Sequence, residues 1–338
     1  MAKGTFRSLK VFNYREMKDK HMQQRKIGRS DLKIAPLVLG TNTFGWSADP
    51  QTSFAILDAF VEAGYNAIDT ADVYSCWVPG HVGGESETVI GDWLKARGRR
   101  ERVVVATKVG AQMPNWGEGL SASYIVKAVE GSLKRLQTDY IDLYQSHVDD
   151  ARTPLDETLE AYDRLIKSGK VRAIGASHYD ARRLSEALRV SQDKGVCRYN
   201  SLQPRYNLCD RADFETAVQD ICVKNDVGVI CYSALAKGFL TGKYRPGVDN
   251  SQSKWEEMVK QRYVNDRGLR ILTALEEVAE EQNATQAEVA LAWLVAQSGI
   301  VAPIIGVRSV AQLNDIINVG RLGLGKRQLD VLSAASAP

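Results

Sequence analysis

From Ala35 onward, short runs rich in β-branched residues alternate eight times with amphipathic segments at helical spacing. Strands and helices that take turns in this way specify a parallel sheet covered by its own crossover helices. Eight alternations in one chain point to a closed (β/α)₈ TIM barrel of the α/β class rather than to an open doubly wound sheet. The strands are expected at residues 36–40, 67–70, 103–108, 141–147, 173–177, 201–204, 228–232 and 304–307. The helices between and around them are expected at 49–62, 85–97, 121–136, along the stripe Leu155, Leu159, Tyr162 and Ile166, and at 181–192, 212–224, 286–297 and 310–319.

Ahead of the repeat, alternating runs at 23–28 and 32–34 flank the polar turn Arg29-Ser30-Asp31, which predicts a β-hairpin acting as a lid or plug. The loop after the seventh strand, 236–267, is far longer than usual and reads as a lid or binding loop. A C-terminal helix at 329–335 would lie outside the barrel. With no linker or low-complexity stretch, residues 23–338 form one expected barrel domain. Residues 1–22 read as an N-terminal extension, either native or added ahead of a start at Met22.

A net charge of +3, with bases and acids interleaved, gives no patch suited to phosphates, so no nucleic-acid partner is expected. No run approaches the roughly 18 apolar residues that cross a bilayer, and no membrane association is expected. Five cysteines, an odd number without a Cys-x-x-Cys pair, argue against a disulfide framework and for a reducing cytoplasmic setting.

In a barrel of this kind, chemistry gathers at the C-terminal ends of the strands. Three successive strands end on Asp69, Lys108 and His147, and Tyr74 follows Asp69 by one short loop. A free phenol has a pKa of about 10 and is a poor acid near neutrality. A nearby ammonium would lower it, so Lys108, held by Asp69, would make Tyr74 a workable general acid while His147 orients a carbonyl oxygen. Hydride arriving at the carbonyl carbon from a nicotinamide would complete a ketone-to-alcohol reaction, and no metal is required. Trp46 and Trp77 on the first two loops, with Arg205 at the rim, suit an apolar or ring-shaped carbonyl substrate.

Beyond these positions, the chain carries Asp69-Thr70-Ala71-Asp72-Val73-Tyr74, Gly84-Glu85-Ser86-Glu87, Ala106-Thr107-Lys108, Asp142-Leu143-Tyr144-Gln145-Ser146-His147, Gln203-Pro204-Arg205-Tyr206-Asn207-Leu208, Tyr232-Ser233-Ala234-Leu235 and Leu240-Thr241-Gly242-Lys243-Tyr244. With these motifs the sequence resembles the aldo-keto reductases, from about residue 22 to 335. The resemblance implies that Asp69, Tyr74, Lys108 and His147 form a catalytic tetrad and that NADPH binds without a Rossmann fold. It further implies that Ser177, His178 and Gln203 grip the nicotinamide carboxamide and that Tyr232 stacks on its ring. Ser233, Leu235 and Lys243 would wrap the pyrophosphate, while Gly306, Arg308, Gln312 and Asp315 would hold the adenosine-phosphate end. Thr41 and Asn42 would approach the reacting end. Arg308, able to grip a 2′-phosphate through two hydrogen bonds, favours NADP over NAD. Two positions depart from the family pattern: His178 and Ile316 stand where members often carry asparagine.

Two rival functions remain. Barrels of this type also serve as nucleotide-sensing channel β-subunits, although such relatives can lack the histidine that His147 supplies here. A barrel enzyme acting on a sugar phosphate is the other. Residues 320–327 have Walker A spacing but no Ser or Thr for magnesium and no preceding strand. No His-Glu-x-x-His or Gly-x-Ser-x-Gly occurs.

Overall fold

The computed structural model describes residues 22–98, 100–245 and 256–338. The predicted extension at 1–22 lies outside the described residues except for Met22, as does part of the long loop. Chain entry is the antiparallel hairpin β1 (Arg25–Lys26) and β2 (Lys33–Ile34). Its turn is tied by the Ser30 hydroxyl, which donates to the Ile27 carbonyl at 2.6 Å. Gly28 takes φ +53°, and a Cβ there would meet the Asn200 carbonyl oxygen at 2.2 Å, so only glycine fits. Ile27, Leu32 and Ile34 bury themselves against Val38, Ala67 and Val104 at the strand beginnings. The hairpin is thus a plug in the barrel floor.

Eight strands close the barrel: β3 (Val38–Gly40), β4 (Ala67–Asp69), β5 (Val104–Val109), β6 (Ile141–Ser146), β7 (Val171–Ser177), β8 (Tyr199–Gln203), β9 (Gly228–Cys231) and β10 (Ile300–Gly306). All neighbours are parallel, and β10 pairs with both β9 and β3, where Gly306 faces Gly40. The first five crossovers are α1 (Pro50–Glu62), α2 (Glu85–Arg97), α3 (Ala122–Leu136), α4 (Leu155–Lys167) and α5 (Ala181–Lys194). Their starts follow side-chain chemistry: the carboxylates of Asp49 and Asp180 and the hydroxyl of Ser121 accept backbone N–H bonds from the first turns of α1, α5 and α3. The barrel interior is packed by residues such as Val38, Ala106, Leu143 and Ile230, and the layer beneath the helices by Trp93, Tyr162 and Trp293. Each such large side chain contributes on the order of 1.5–3 kcal/mol through burial.

Departures from the sequence expectation lie in the second half. The expected helix at 212–224 is two pieces, α6 (Ala212–Glu215) and α7 (Val218–Lys224), because Ala217 between them has the extended φ of −146°. The long loop contains α8 (Glu256–Tyr263), and the chain then forms α9 (Asp266–Gln282), which the sequence reading left unassigned. Ile271, Leu272, Leu275, Val278 and Ala279 give α9 its buried face, which packs on α10 (Gln286–Val295) and on the terminal α12 (Lys326–Ala335). Strand β10 starts four residues earlier than expected and carries Pro303 inside it, with the register shifting between Ile300 and Ala302. The helix expected at 310–319 stops early as α11 (Val310–Asn314). Among the described residues no helix is long and apolar enough to cross a membrane.

Candidate active site

Side chains alternate along each strand, so Ala67 and Asp69, Ala106 and Lys108, and Leu143 and Gln145 share the inward face, the polar member of each pair standing nearer the mouth. The Lys108 ammonium is fully buried and uses all three N–H bonds, on Asp69 Oδ2 at 2.6 Å, the Thr70 carbonyl at 2.8 Å and Tyr74 Oη at 2.8 Å. Asp69 Oδ1 accepts from Gln203 Nε2 at 2.9 Å and Gln145 Nε2 at 3.1 Å. Tyr74 reaches this pair from a loop pinned by Ser75, which has φ +76° and donates through Oγ to the Phe44 carbonyl.

Burial dominates the phenol's acidity. It pushes the Tyr74 pKa above the ordinary tyrosine value, against the pull of Lys108 and together with the push of Asp69. The expected lowering by Lys108 is present but loses to burial. For Lys108 itself burial acts downward, yet Asp69 and Tyr74 outweigh it and leave the ammonium firmly charged. His147 is held well below the usual histidine value by burial and, next, by the positive charge of Lys108, so its ring is neutral. Its Nδ1 is buried without a hydrogen-bond partner among the described residues.

These rings belong to a continuous aromatic arc around the mouth. Trp46 meets Trp77 at 6.2 Å between centroids, Trp77 meets Tyr74 at 6.2 Å, and Tyr74 meets His147 at 6.0 Å, all edge to face. His147 and His178 follow at 6.4 Å, and His178 and Tyr232 at 5.3 Å, with the Arg205 guanidinium 5.8 Å from the Tyr232 ring. Trp46 is anchored by its indole N–H on the Asn42 carbonyl at 2.7 Å.

The sequence profile of the aldo/keto reductase family matches residues 36–337. The chain belongs to the aldo/keto reductase family. Among its relatives, an uncharacterised oxidoreductase of Bacillus subtilis (strain 168), YrpG, is 36% identical over 92% of this chain and 95% of its own length. A probable voltage-gated potassium channel subunit beta of Arabidopsis thaliana is 32% identical over 87% of this chain and 90% of its own. Protein tas of Escherichia coli (strain K12) is 30% identical over 94% of this chain and 97% of its own. Family and relatives together make the chain an oxidoreductase of the carbonyl-reducing kind.

Within this aldo/keto reductase, the residues implied by resemblance fall into two groups. Ser177, His178, Gln203 and Tyr232 are linked at the mouth. Ser177 Oγ donates to the Gln203 carbonyl at 2.9 Å, while His178 lies 2.9 Å from the His147 carbonyl through Nδ1 and 3.1 Å from Tyr232 Oη through Nε2. A carbonyl only accepts, so His178 Nδ1 carries the proton and Nε2 takes the Tyr232 hydroxyl hydrogen. His178 has φ +58°, a left-handed conformation in which asparagine and histidine are the better tolerated side chains. Ser233 and the neighbouring Ala236 and Lys237 also have positive φ, so backbone strain concentrates at this rim.

The second group follows the last strands. Leu235 packs partly into the core, and Lys243 is exposed beside Gly238. Gly306 ends β10 next to the Asn42 side chain, and Arg308 is exposed with its backbone N–H on Gln312 Oε1 at 2.9 Å. Asp315 caps α11, and its carbonyl accepts from the Thr285 hydroxyl. Ile316 is buried in the core. Thr41 is fully buried beside Asp69: it donates to the Asp69 carbonyl at 3.0 Å and accepts from Ser86 Oγ at 2.8 Å, and so supports the end of β4.

Gln145 escaped the sequence reading although its signal was there, a polar side chain at the inward alternate position between Leu143 and His147. Asp72 is fully buried with both carboxyl oxygens unpartnered, and burial beside Glu87 holds its pKa well above the carboxylate range.

Proposed function

We propose that the chain is an NADPH-dependent reductase that turns an aldehyde or ketone into its alcohol, with Tyr74 as the proton donor. The observation that carries this reading is the buried chain from Asp69 through Lys108 to the Tyr74 hydroxyl, ending beside a neutral His147. The donor set fits the cofactor at its far end, where among the described residues no carboxylate pairs with the exposed Arg308 guanidinium, leaving it for a 2′-phosphate. When bound, NADPH supplies the hydride. His147, neutral, offers one hydrogen bond that orients the substrate carbonyl oxygen. Tyr74 Oη gives its proton to that oxygen, and the phenolate left behind is stabilised by Lys108 at 2.8 Å while Asp69 fixes the ammonium. In the reverse direction Tyr74 takes the proton. The raised pKa keeps the proton on Tyr74 throughout the neutral range, and Lys108 makes its loss affordable.

Trp46, Trp77 and the rest of the arc favour a flat or bulky cyclic carbonyl compound, with Arg205 at the rim. All five cysteines are free, which supports a reducing, cytoplasmic setting. The decisive experiment is Tyr74→Phe: reduction of a reactive aldehyde or quinone falls by about 10²–10⁴-fold while NADPH still quenches the protein's fluorescence. Undiminished reduction by this variant would end the mechanism. Similarity to the probable channel subunit beta of Arabidopsis favours a second reading, a nucleotide-sensing regulatory subunit of the channel β type. That reading gains if the wild-type protein binds NADPH tightly and turns over none of a panel of aldehydes, quinones and cyclic ketones.

A further inference from the structure

Gln145 and Gln203 both direct an amide at the same oxygen of Asp69, at 3.1 Å and 2.9 Å, and Gln203 Nε2 also lies 3.3 Å from Gln145 Oε1. A carboxylate only accepts hydrogen bonds, so each glutamine must turn its NH₂ toward Asp69. Gln203 then spends one N–H on Asp69 and the other on Gln145. Its own oxygen is left facing away from Asp69 Oδ1 and Gln145 Oε1, with no protein donor among the described residues. Rotating that amide by half a turn would set its oxygen against Asp69 Oδ1 and Gln145 Oε1, three acceptors together in a buried site. The orientation is therefore locked, and Gln145 supplies half of the lock.

The fold makes room for this side chain. Gln145 is fully buried, and opposite it on β7 stands Gly175, where a Cβ would lie 3.1 Å from Gln145 Cγ and 2.2 Å from Ser201 Oγ. A buried amide in a barrel interior otherwise lined by Leu143, Ala106 and Ala173 is costly to desolvate unless its hydrogen bonds are used.

We propose that Gln145 is a positioning residue of the reaction: it fixes the Gln203 amide so that an acceptor oxygen meets the N–H of the nicotinamide carboxamide, and it steadies the Asp69 carboxylate whose other oxygen holds Lys108. Gln145 touches neither cofactor nor substrate. The inference rests on the NADPH-reductase reading above, and its test separates the two.

The test compares the dissociation constants of NADPH and of its 3-acetylpyridine analogue, which has a methyl ketone in place of the carboxamide and so no N–H to give. Wild-type protein prefers NADPH. In Gln145→Met, which keeps the length and loses the hydrogen bonds, that preference falls by at least about threefold, one hydrogen bond's worth, and kcat falls by about tenfold. Gln203→Met loses the preference too, and the double variant loses no more of it than Gln203→Met alone, because Gln145 acts through Gln203. A folded Gln145→Met with wild-type preference and kcat overturns the proposal, as does a double variant whose losses multiply. Should Gln145→Met not fold, a wild-type protein that binds both cofactors equally overturns it just as well. Failure of wild-type protein to bind NADPH at all removes the underlying reading instead, and this inference with it.

Discussion

Two buried carboxyl groups, Asp69 at the barrel mouth and Asp142 in β6 near the floor, are held in different ways. Asp142 receives two guanidinium groups, Arg172 at 2.6 Å and Arg100 at 2.8 Å, and the Val105 N–H at 2.9 Å. Arg172 continues to Asp31 in the hairpin turn at 3.0 Å, and Arg100 lies 3.8 Å from the Tyr140 ring. The cations there are guanidinium groups, which make poor proton donors. Asp69 instead has one ammonium, two neutral amides and, behind the ammonium, a phenol. The floor is a fixed electrostatic latch for the plug, whereas the mouth holds a charge whose proton can be passed on.

Exchanging each acid for its amide separates the two roles most sharply. Asp142→Asn leaves two guanidinium groups facing a weaker acceptor and lowers unfolding free energy by about 3 kcal/mol, read by denaturant titration, while kcat of the folded fraction stays near wild type. Asp69→Asn does the reverse, lowering kcat by about a hundredfold because Lys108 loses its counter-charge. Equal effects of the two variants on kcat would erase the distinction. A smaller effect is expected at Arg308: unlike Arg172 it has no carboxylate to hold among the described residues, so Arg308→Ala leaves stability within about 0.5 kcal/mol. The same variant raises the dissociation constant of NADPH about tenfold and that of NADH little. The gentlest probe is pH. Because His147 is held below its ordinary value, stability gained from its neutral ring is present above about pH 6.5 and is lost as pH falls below it. Tyr74, raised, stabilises fully below about pH 10 and loses that contribution as pH climbs further. Reduction should accordingly show no acidic limb near pH 6.5 and a basic limb only above pH 10, measured as kcat against pH.

Most of the barrel was legible because periodicity and caps agree in its first half: Asp49, Ser121 and Asp180 each stand where a helix begins. It failed where one local rule was followed against a stronger distant one. Strand β10 begins ahead of Pro303, which lacks an N–H; pairing with β9 on one side and β3 on the other holds it there, with a register shift between Ile300 and Ala302. The α9 helix was hidden behind a loop whose length suggested irregular structure, although Asn265 caps it in the usual way. In the site, each strand-end acid, amine and imidazole could be found by position. Gln145 could not be separated from Gln203 by pattern alone, since the difference between an amide that meets a ligand and one that aims it exists only in three dimensions. Nor could the sequence weigh burial against charge for Tyr74, because the depth of the phenol depends on the Ser75 turn and the Trp77 ring above it.

The seam between Gly40 and Gly306 joins the first barrel strand to the last, and Asn42 meets Gly306 just beyond it. No early stretch of the chain can rehearse that contact. A ribosome that has delivered Asp69, Tyr74, Lys108 and His147 has still to release more than a third of the polypeptide before the ring of strands can shut. Enzymatic activity would therefore report on completion of the whole tertiary structure, appearing and vanishing with it in one cooperative event rather than strand by strand.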